Sequence, residues 1–167
     1  GYGRGFDQQR FSPLAQISTS TVATLKAAWS FSTGTLRGHE GNALVIGNVM
    51  FVHTSFPNIV YALDLSKEGA PQIWKYVPQQ SPDAIPIACC DLVNRGTAYH
   101  QSGKIYIAAL QGDLIALDAK TGKELWKVRH PDKSGPHPPI ARSSASTLRA
   151  ASCGASPSAR ERIPRRR

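Results

Sequence analysis

The sequence predicts an all-β protein assembled from repeated blades of a β-propeller, and three observations predict it. Short runs rich in β-branched and aromatic residues are punctuated by Gly, Asn and Asp, the pattern of strands joined by tight turns. One unit repeats: Met50-Phe51-Val52 through Tyr61-Ala62-Leu63-Asp64 aligns without a gap on Lys104-Ile105-Tyr106 through Ile115-Ala116-Leu117-Asp118, 54 residues later. Both copies then reach a Trp followed by Lys, at Trp74-Lys75 and Trp126-Lys127. The shift between the two Trp residues is only 52, so the first copy carries two extra residues in its turn. A period near 50 with about four short strands per copy is the signature of a propeller blade. A single blade cannot bury both faces of its sheet, so two copies imply a larger ring. A sandwich of short strands is the competing architecture.

In chain order, Gly1-Tyr2-Gly3-Arg4-Gly5 superficially resembles a phosphate-binding loop but follows no strand and opens no helix. Gln9 to Leu14 is an extended, Pro-punctuated lead-in. Ser18 to Leu25 suits a short turn of helix, with Ser and Thr available as caps. Ala28-Trp29-Ser30-Phe31-Ser32 alternates like a strand. Leu44-Val45-Ile46 and Val49-Met50-Phe51-Val52 flank Gly47-Asn48, the two-residue connection of a tight hairpin. Ile59 to Leu63 and Gln72 to Tyr76 complete the first blade. In the second, Asp118 to Gly122 supplies turn chemistry, Gly122 being free to take positive φ. Ala116 leaves room for a neighbouring blade, and Trp126 and Trp74 offer flat surfaces for packing between blades.

At 167 residues, 41% hydrophobic and 19% charged, the chain has the composition of a globular domain. No apolar run approaches the ~20 residues of a membrane span. The chain opens on Gly1 without Met, so the missing signal segment says little about location. The net charge of +9 is mostly a tail property: residues 1–135 hold 13 Lys/Arg against 10 Asp/Glu, and residues 136–167 hold seven Arg against one Glu. No nucleic-acid partner is expected. The histidines at 39, 53, 100, 130 and 137 show no ligand spacing.

Three cysteines without a CxxC give neither a disulfide framework nor a zinc site. Cys89 and Cys90 are adjacent. Disulfides usually hold their Cα atoms about 4.4–6.8 Å apart, whereas neighbouring Cα atoms are about 3.8 Å apart. Closing this pair would make a tight, strained ring, and the alternative is two reduced thiols in a buried strand.

Several stretches together resemble the quinoprotein alcohol dehydrogenases, in the methanol/ethanol dehydrogenase branch, over about residues 2–132. They are Gln9 to Leu14, Gly38-His39-Glu40-Gly41, Cys89-Cys90-Asp91-Leu92-Val93-Asn94-Arg95-Gly96, and a tryptophan-docking motif matched by Ala116, Gly122 and Trp126. The resemblance implies the first two blades of an eight-bladed propeller in residues 1–135. It implies pyrroloquinoline quinone (PQQ) as cofactor, with Ca²⁺ or a lanthanide ion. Carried over to this sequence, Cys89 and Cys90 form a disulfide against one face of the quinone, where sulfur suits a flat aromatic system. Arg95 hydrogen-bonds the cofactor edge, and Glu40 binds its periphery. The implied reaction oxidises a primary alcohol by hydride transfer to the quinone, with the metal as Lewis acid and an aspartate taking the hydroxyl proton. A c-type cytochrome accepts the electrons, in the periplasm, which also permits a disulfide.

After His130-Pro131-Asp132 the resemblance stops. Residues 136–167 hold six Ser, six Ala, seven Arg and five Pro with no aromatic residue and no Lys, a composition expected to be disordered. The abrupt change suggests an out-of-frame tail, a genuine basic tail being the alternative. Cys153 lies in this tail and reads as a free thiol. The family's metal ligands and catalytic base match no residue here, so the chain is expected to lack dehydrogenase activity on its own. A non-enzymatic propeller segment serving as an interaction scaffold is the rival reading.

Overall fold

The computed structural model describes residue 7, residues 9–86, residue 88 and residues 92–129. Among the described residues, eight strands form two four-stranded antiparallel sheets. The first blade contains β1 (Leu44–Ile46), β2 (Val49–His53), β3 (Val60–Asp64) and β4 (Gln72–Tyr76). The second contains β5 (Thr97–His100), β6 (Lys104–Ala108), β7 (Asp113–Asp118) and β8 (Glu124–Arg129). Each sheet is a meander with sequential strands paired. At the first hairpin Ile46 pairs with Val49 across Gly47-Asn48, and Gly47 takes a φ of +57°. Such a positive φ is what a two-residue turn demands and what glycine adopts without a steric cost.

The two blades face each other across one core. Phe51, Val60, Ala62 and Trp74 of the first blade meet Ile105, Ile107, Ile115 and Leu117 of the second. Each such large apolar side chain, fully buried, stabilises the fold by about 1.5–3 kcal/mol. The opposite face of the first blade buries Tyr61, Leu63 and Ala70 beneath Phe31, Met50 and Val52. A charged clasp closes the second blade: the exposed Arg129 donates to Asp113, whose side chain is 2% exposed, at 2.8 Å. Burial alone would raise the Asp113 carboxyl, but hydrogen bonds from Arg129 and Gln111 outweigh it and hold the pKa low.

Three expectations need correction. The repeat is not gapless. Phe51 pairs with Ala62 and Tyr106 with Ala116, so the structural counterpart of Phe51 is Tyr106, not Ile105. Counted between paired residues, five residues separate Ala108 from Leu114, where six separate His53 from Val60. A one-residue slip moves a strand's side chains to the other face. Hydrophobicity conceals the slip because the inner strands are apolar on both faces. Residues 28–32 are not a strand, since no strand among the described residues pairs with them. Phe31 instead packs edge-on against Tyr61 at 5.0 Å, and the Tyr61 hydroxyl donates to the Thr33 carbonyl at 2.8 Å. The short turn of helix expected within residues 18–25 is present, as a 3-10 turn at Val22–Thr24. Finally, β5 is an additional strand: Thr97-Ala98-Tyr99-His100 is too polar and too short to announce itself, yet it pairs along its length with β6.

The tryptophans are placed unequally. Trp74 lies on the β7–β8 turn, where its indole N–H donates to the Ala119 carbonyl at 3.1 Å. A Cβ on Gly122 would sit 2.6 Å from Trp74 ring atoms, and Gly122 takes a φ of +71°. Glycine is therefore required twice over at this position, for its backbone and for the indole above it. Ala116 is fully buried and pairs with Trp126, which remains 38% exposed and tilts against Tyr106 at 5.9 Å. Gly122 thus receives the tryptophan of the preceding blade.

Candidate functional site

The site grows from the ends of two strands. Glu40 precedes the start of β1 by four residues, and Arg95 precedes the start of β5 by two. Strands β1 and β5 approach each other across the blade interface, so the segments feeding them converge. Arg95 Nη2 stands 3.1 Å from Glu40 Oε2, with the two side chains 52% and 49% exposed. An ion pair this open adds only about 0–1 kcal/mol to stability. A half-exposed guanidinium carries several N–H donors in a planar fork, a geometry that suits carboxylate or carbonyl oxygens.

The backbone beneath the pair is more firmly held. Asn94 donates from Nδ2 to the Ala108 carbonyl at 2.8 Å and accepts the Gly96 N–H at 3.0 Å through Oδ1. The Phe56 N–H donates to the Leu92 carbonyl at 2.9 Å. His53 Nε2 contacts the Asn94 carbonyl at 2.9 Å, and burial lowers the histidine pKa below its ordinary value. Gly41, next to Glu40, lies against the His53 ring. Among the described residues His53 Nδ1, Ser55 Oγ and Thr97 Oγ1 are buried without a partner. Neither His53 nor Asn94 was assigned a role from sequence. Their partners are 41 and 14 residues away, and no local spacing marks such contacts.

Of the expected site residues, the structure brings Glu40 and Arg95 together. Cys89, Cys90 and the following Asp91 lie outside the described residues, as do Gly1 to Gly5, His130, His137, Cys153 and the whole of 136–167. Among the described residues no three His, Cys, Asp or Glu side chains gather closely enough to hold a metal ion. No helix among them is long and apolar enough to cross a membrane.

A family model described as the PQQ glucose/ethanol/alcohol dehydrogenase β-propeller domain matches residues 1–127, a range that includes Glu40, Cys89, Cys90 and Arg95. The chain belongs to this family. It is 54% identical over 129 residues to the lanthanide-dependent methanol dehydrogenase of Methylacidiphilum fumariolicum, covering 77% of this chain and 21% of that protein. It is 44% identical over 135 residues to subunit 1 of the cytochrome c methanol dehydrogenase of Paracoccus denitrificans, covering 78% of this chain and 21% of that protein. Among solved structures it superposes on a europium-containing methanol dehydrogenase with a TM-score of 0.76 and 52% identity, over 79% of this chain and 23% of that one. A quinohemoprotein alcohol dehydrogenase from Comamonas testosteroni gives a TM-score of 0.71 at 39% identity, over 77% of this chain and 18% of that one. The chain therefore spans about a fifth of the length of the curated dehydrogenases it matches, and its sheets are blades of the PQQ propeller.

Proposed function

We propose that this chain forms the cofactor-facing first blades of a PQQ-dependent dehydrogenase that oxidises primary alcohols to aldehydes. The observation that carries the reading is the meeting of Glu40 and Arg95 at 3.1 Å, where the segments entering β1 and β5 converge. When bound, the quinone supplies the hydride-accepting carbon. The chain's own residues bind and orient it. Arg95 directs charge-assisted hydrogen bonds to its carboxylate or carbonyl oxygens, and Glu40 holds the guanidinium in line while presenting an acceptor of its own. Cys89 and Cys90, which lie outside the described residues, would pair as a disulfide beside the cofactor, where sulfur suits a flat aromatic system. A Ca²⁺ or lanthanide ion would act as a Lewis acid in the complete enzyme, and none of the described residues is assigned to hold it. Electrons leave to a c-type cytochrome in the periplasm.

Replacing Arg95 by Gln in the complete enzyme tests the assignment. Losing a hydrogen bond from a charged group costs about 1.5–3 kcal/mol, or roughly 10- to 100-fold in PQQ affinity. Unchanged affinity would remove Arg95 from the site. The disulfide has its own test by thiol titration. Of three cysteines, the denatured, unreduced chain is expected to expose one free thiol, that of Cys153, and all three after reduction. Three free thiols at the outset would leave Cys89 and Cys90 as ordinary reduced side chains.

The break in composition supports a propeller portion in residues 1–135 followed by an unrelated tail in 136–167. Translating the source DNA across this boundary in all three frames tests it. Propeller-like strands resuming in another frame are expected, and their absence would make the basic tail genuine.

A further inference from the structure

We infer that His53 is a positioning residue: it pins the loop before β1 to the loop before β5 and so sets the placement of Glu40 against Arg95. The inference rests on the reading of that pair as a cofactor contact. His53 ends β2, in neither loop, yet touches both. On one side its Nε2 stands 2.9 Å from the carbonyl of Asn94, the residue before Arg95. On the other, the backbone of Gly41, the residue after Glu40, is pressed against the ring. A Cβ at Gly41 would fall 1.8 Å from His53 Nε2, 2.1 Å from Cε1 and 2.9 Å from the Asn94 carbonyl oxygen. Three groups from three segments therefore meet at one point, and no side chain larger than hydrogen fits at 41.

The chemistry of the contact fixes the tautomer. A carbonyl only accepts, so Nε2 carries the hydrogen and donates. The ring is 4% exposed, which favours the neutral form and leaves the Nδ1 lone pair without a partner among the described residues. A hydrophobic side chain would fill this space more cheaply, since a buried polar atom left unpaired is costly. What the imidazole provides, and a Leu does not, is the N–H directed at the Asn94 carbonyl. Asn94 then passes the constraint on, because its side chain donates to the Ala108 carbonyl on β6 and accepts the N–H of Gly96, the residue after Arg95.

The test compares His53→Leu, which keeps apolar bulk without a donor, with His53→Gln, whose amide N–H reaches a similar position. In the chain itself, hydrogen exchange is read over residues 38–41 and 92–96. Exchange there is expected to rise about tenfold in the Leu variant and to return to within about twofold of wild type in the Gln variant, while β6 and β7 keep their protection. Equal protection in wild type and the Leu variant, or no rescue by Gln, overturns the pinning role. In the PQQ-loaded complete enzyme the same pair is titrated beside Arg95→Gln. Weaker PQQ binding in the Leu variant with recovery in the Gln variant supports the inference. If Arg95→Gln binds PQQ normally, the cofactor reading fails, whatever the exchange data show. If Arg95→Gln weakens binding and His53→Leu does not, the cofactor reading stands and His53 is only core.

Discussion

At Gly122 two requirements coincide that elsewhere occur apart. Its φ of +71° disfavours any side chain, and Trp74 occupies the space a side chain would need. Gly122→Ala is expected to destabilise the chain by roughly 2–5 kcal/mol, the sum of left-handed backbone strain and overpacking. Urea unfolding measures it, and a loss below half a unit of urea midpoint would show that the indole simply moves aside. Trp74 and Trp126 occupy equivalent strand positions but differ in cover. Trp74→Ala should cost about 3–5 kcal/mol, and Trp126→Ala much less, because Trp126 is 38% exposed in this chain. Equal losses would mean that the docking contact with Ala119 and Gly122 adds nothing.

His53 also makes stability depend on acidity. Burial lowers its pKa from the ordinary 6.5; the hydrogen bond to the Asn94 carbonyl opposes that shift, and nearby His39 adds to it. The unfolded chain therefore takes up a proton as pH falls through 6.5, while the folded chain resists until a lower pH. More protons on the unfolded state means stability falls as pH drops. The contribution is complete above 6.5 and is lost progressively toward the lowered folded value. Urea midpoints measured from about pH 8 down to about pH 5 should decline, and His53→Gln should flatten the decline. An identical slope in the variant would place the titration elsewhere.

Among elements, β8 has the least support. Every one of its residues is exposed, and its outer edge pairs with no strand among the described residues. Leu114 and Val128 face each other across β7 and β8 and are 43% and 57% exposed. A strand with an open edge and exposed apolar side chains beside it invites pairing with another copy. The chain is expected to self-associate with rising concentration, and Leu114→Lys with Val128→Lys should reduce it, as read by light scattering. A wild-type chain that stays monomeric throughout would show that this edge is covered from within the chain. By contrast, β2, β3, β6 and β7 each have a partner on both sides, which is why they supply most of the core.

For the whole molecule, the decisive fact is coverage. Two blades and their lead-in span about a fifth of the matched dehydrogenases. The described residues include the Glu40–Arg95 pair proposed for the cofactor edge. The 167-residue chain, supplied with PQQ, Ca²⁺ and methanol or ethanol, is therefore expected to reduce no dye above a protein-free control. Turnover above that control would show that these blades hold a working site by themselves.

The amino-acid sequence by itself determined the blade. Alternating apolar runs, the Gly47-Asn48 turn and the repeated Trp-Lys strand are local signals, because strand period and turn chemistry act over a few residues. It also determined the family, through Glu40, Cys89, Cys90, Arg95 and the docking motif. Tertiary structure decided what depends on partners distant in the chain. Phe51 corresponds to Tyr106, since register is set by pairing and not by hydrophobicity when both faces are buried. Strand β5 exists because β6 offers it a ladder, and residues 28–32 are no strand because nothing described pairs with them. Only the convergence of β1 and β5 brings Glu40 to Arg95 and sets His53 between their loops, because such contacts join residues that no local pattern links.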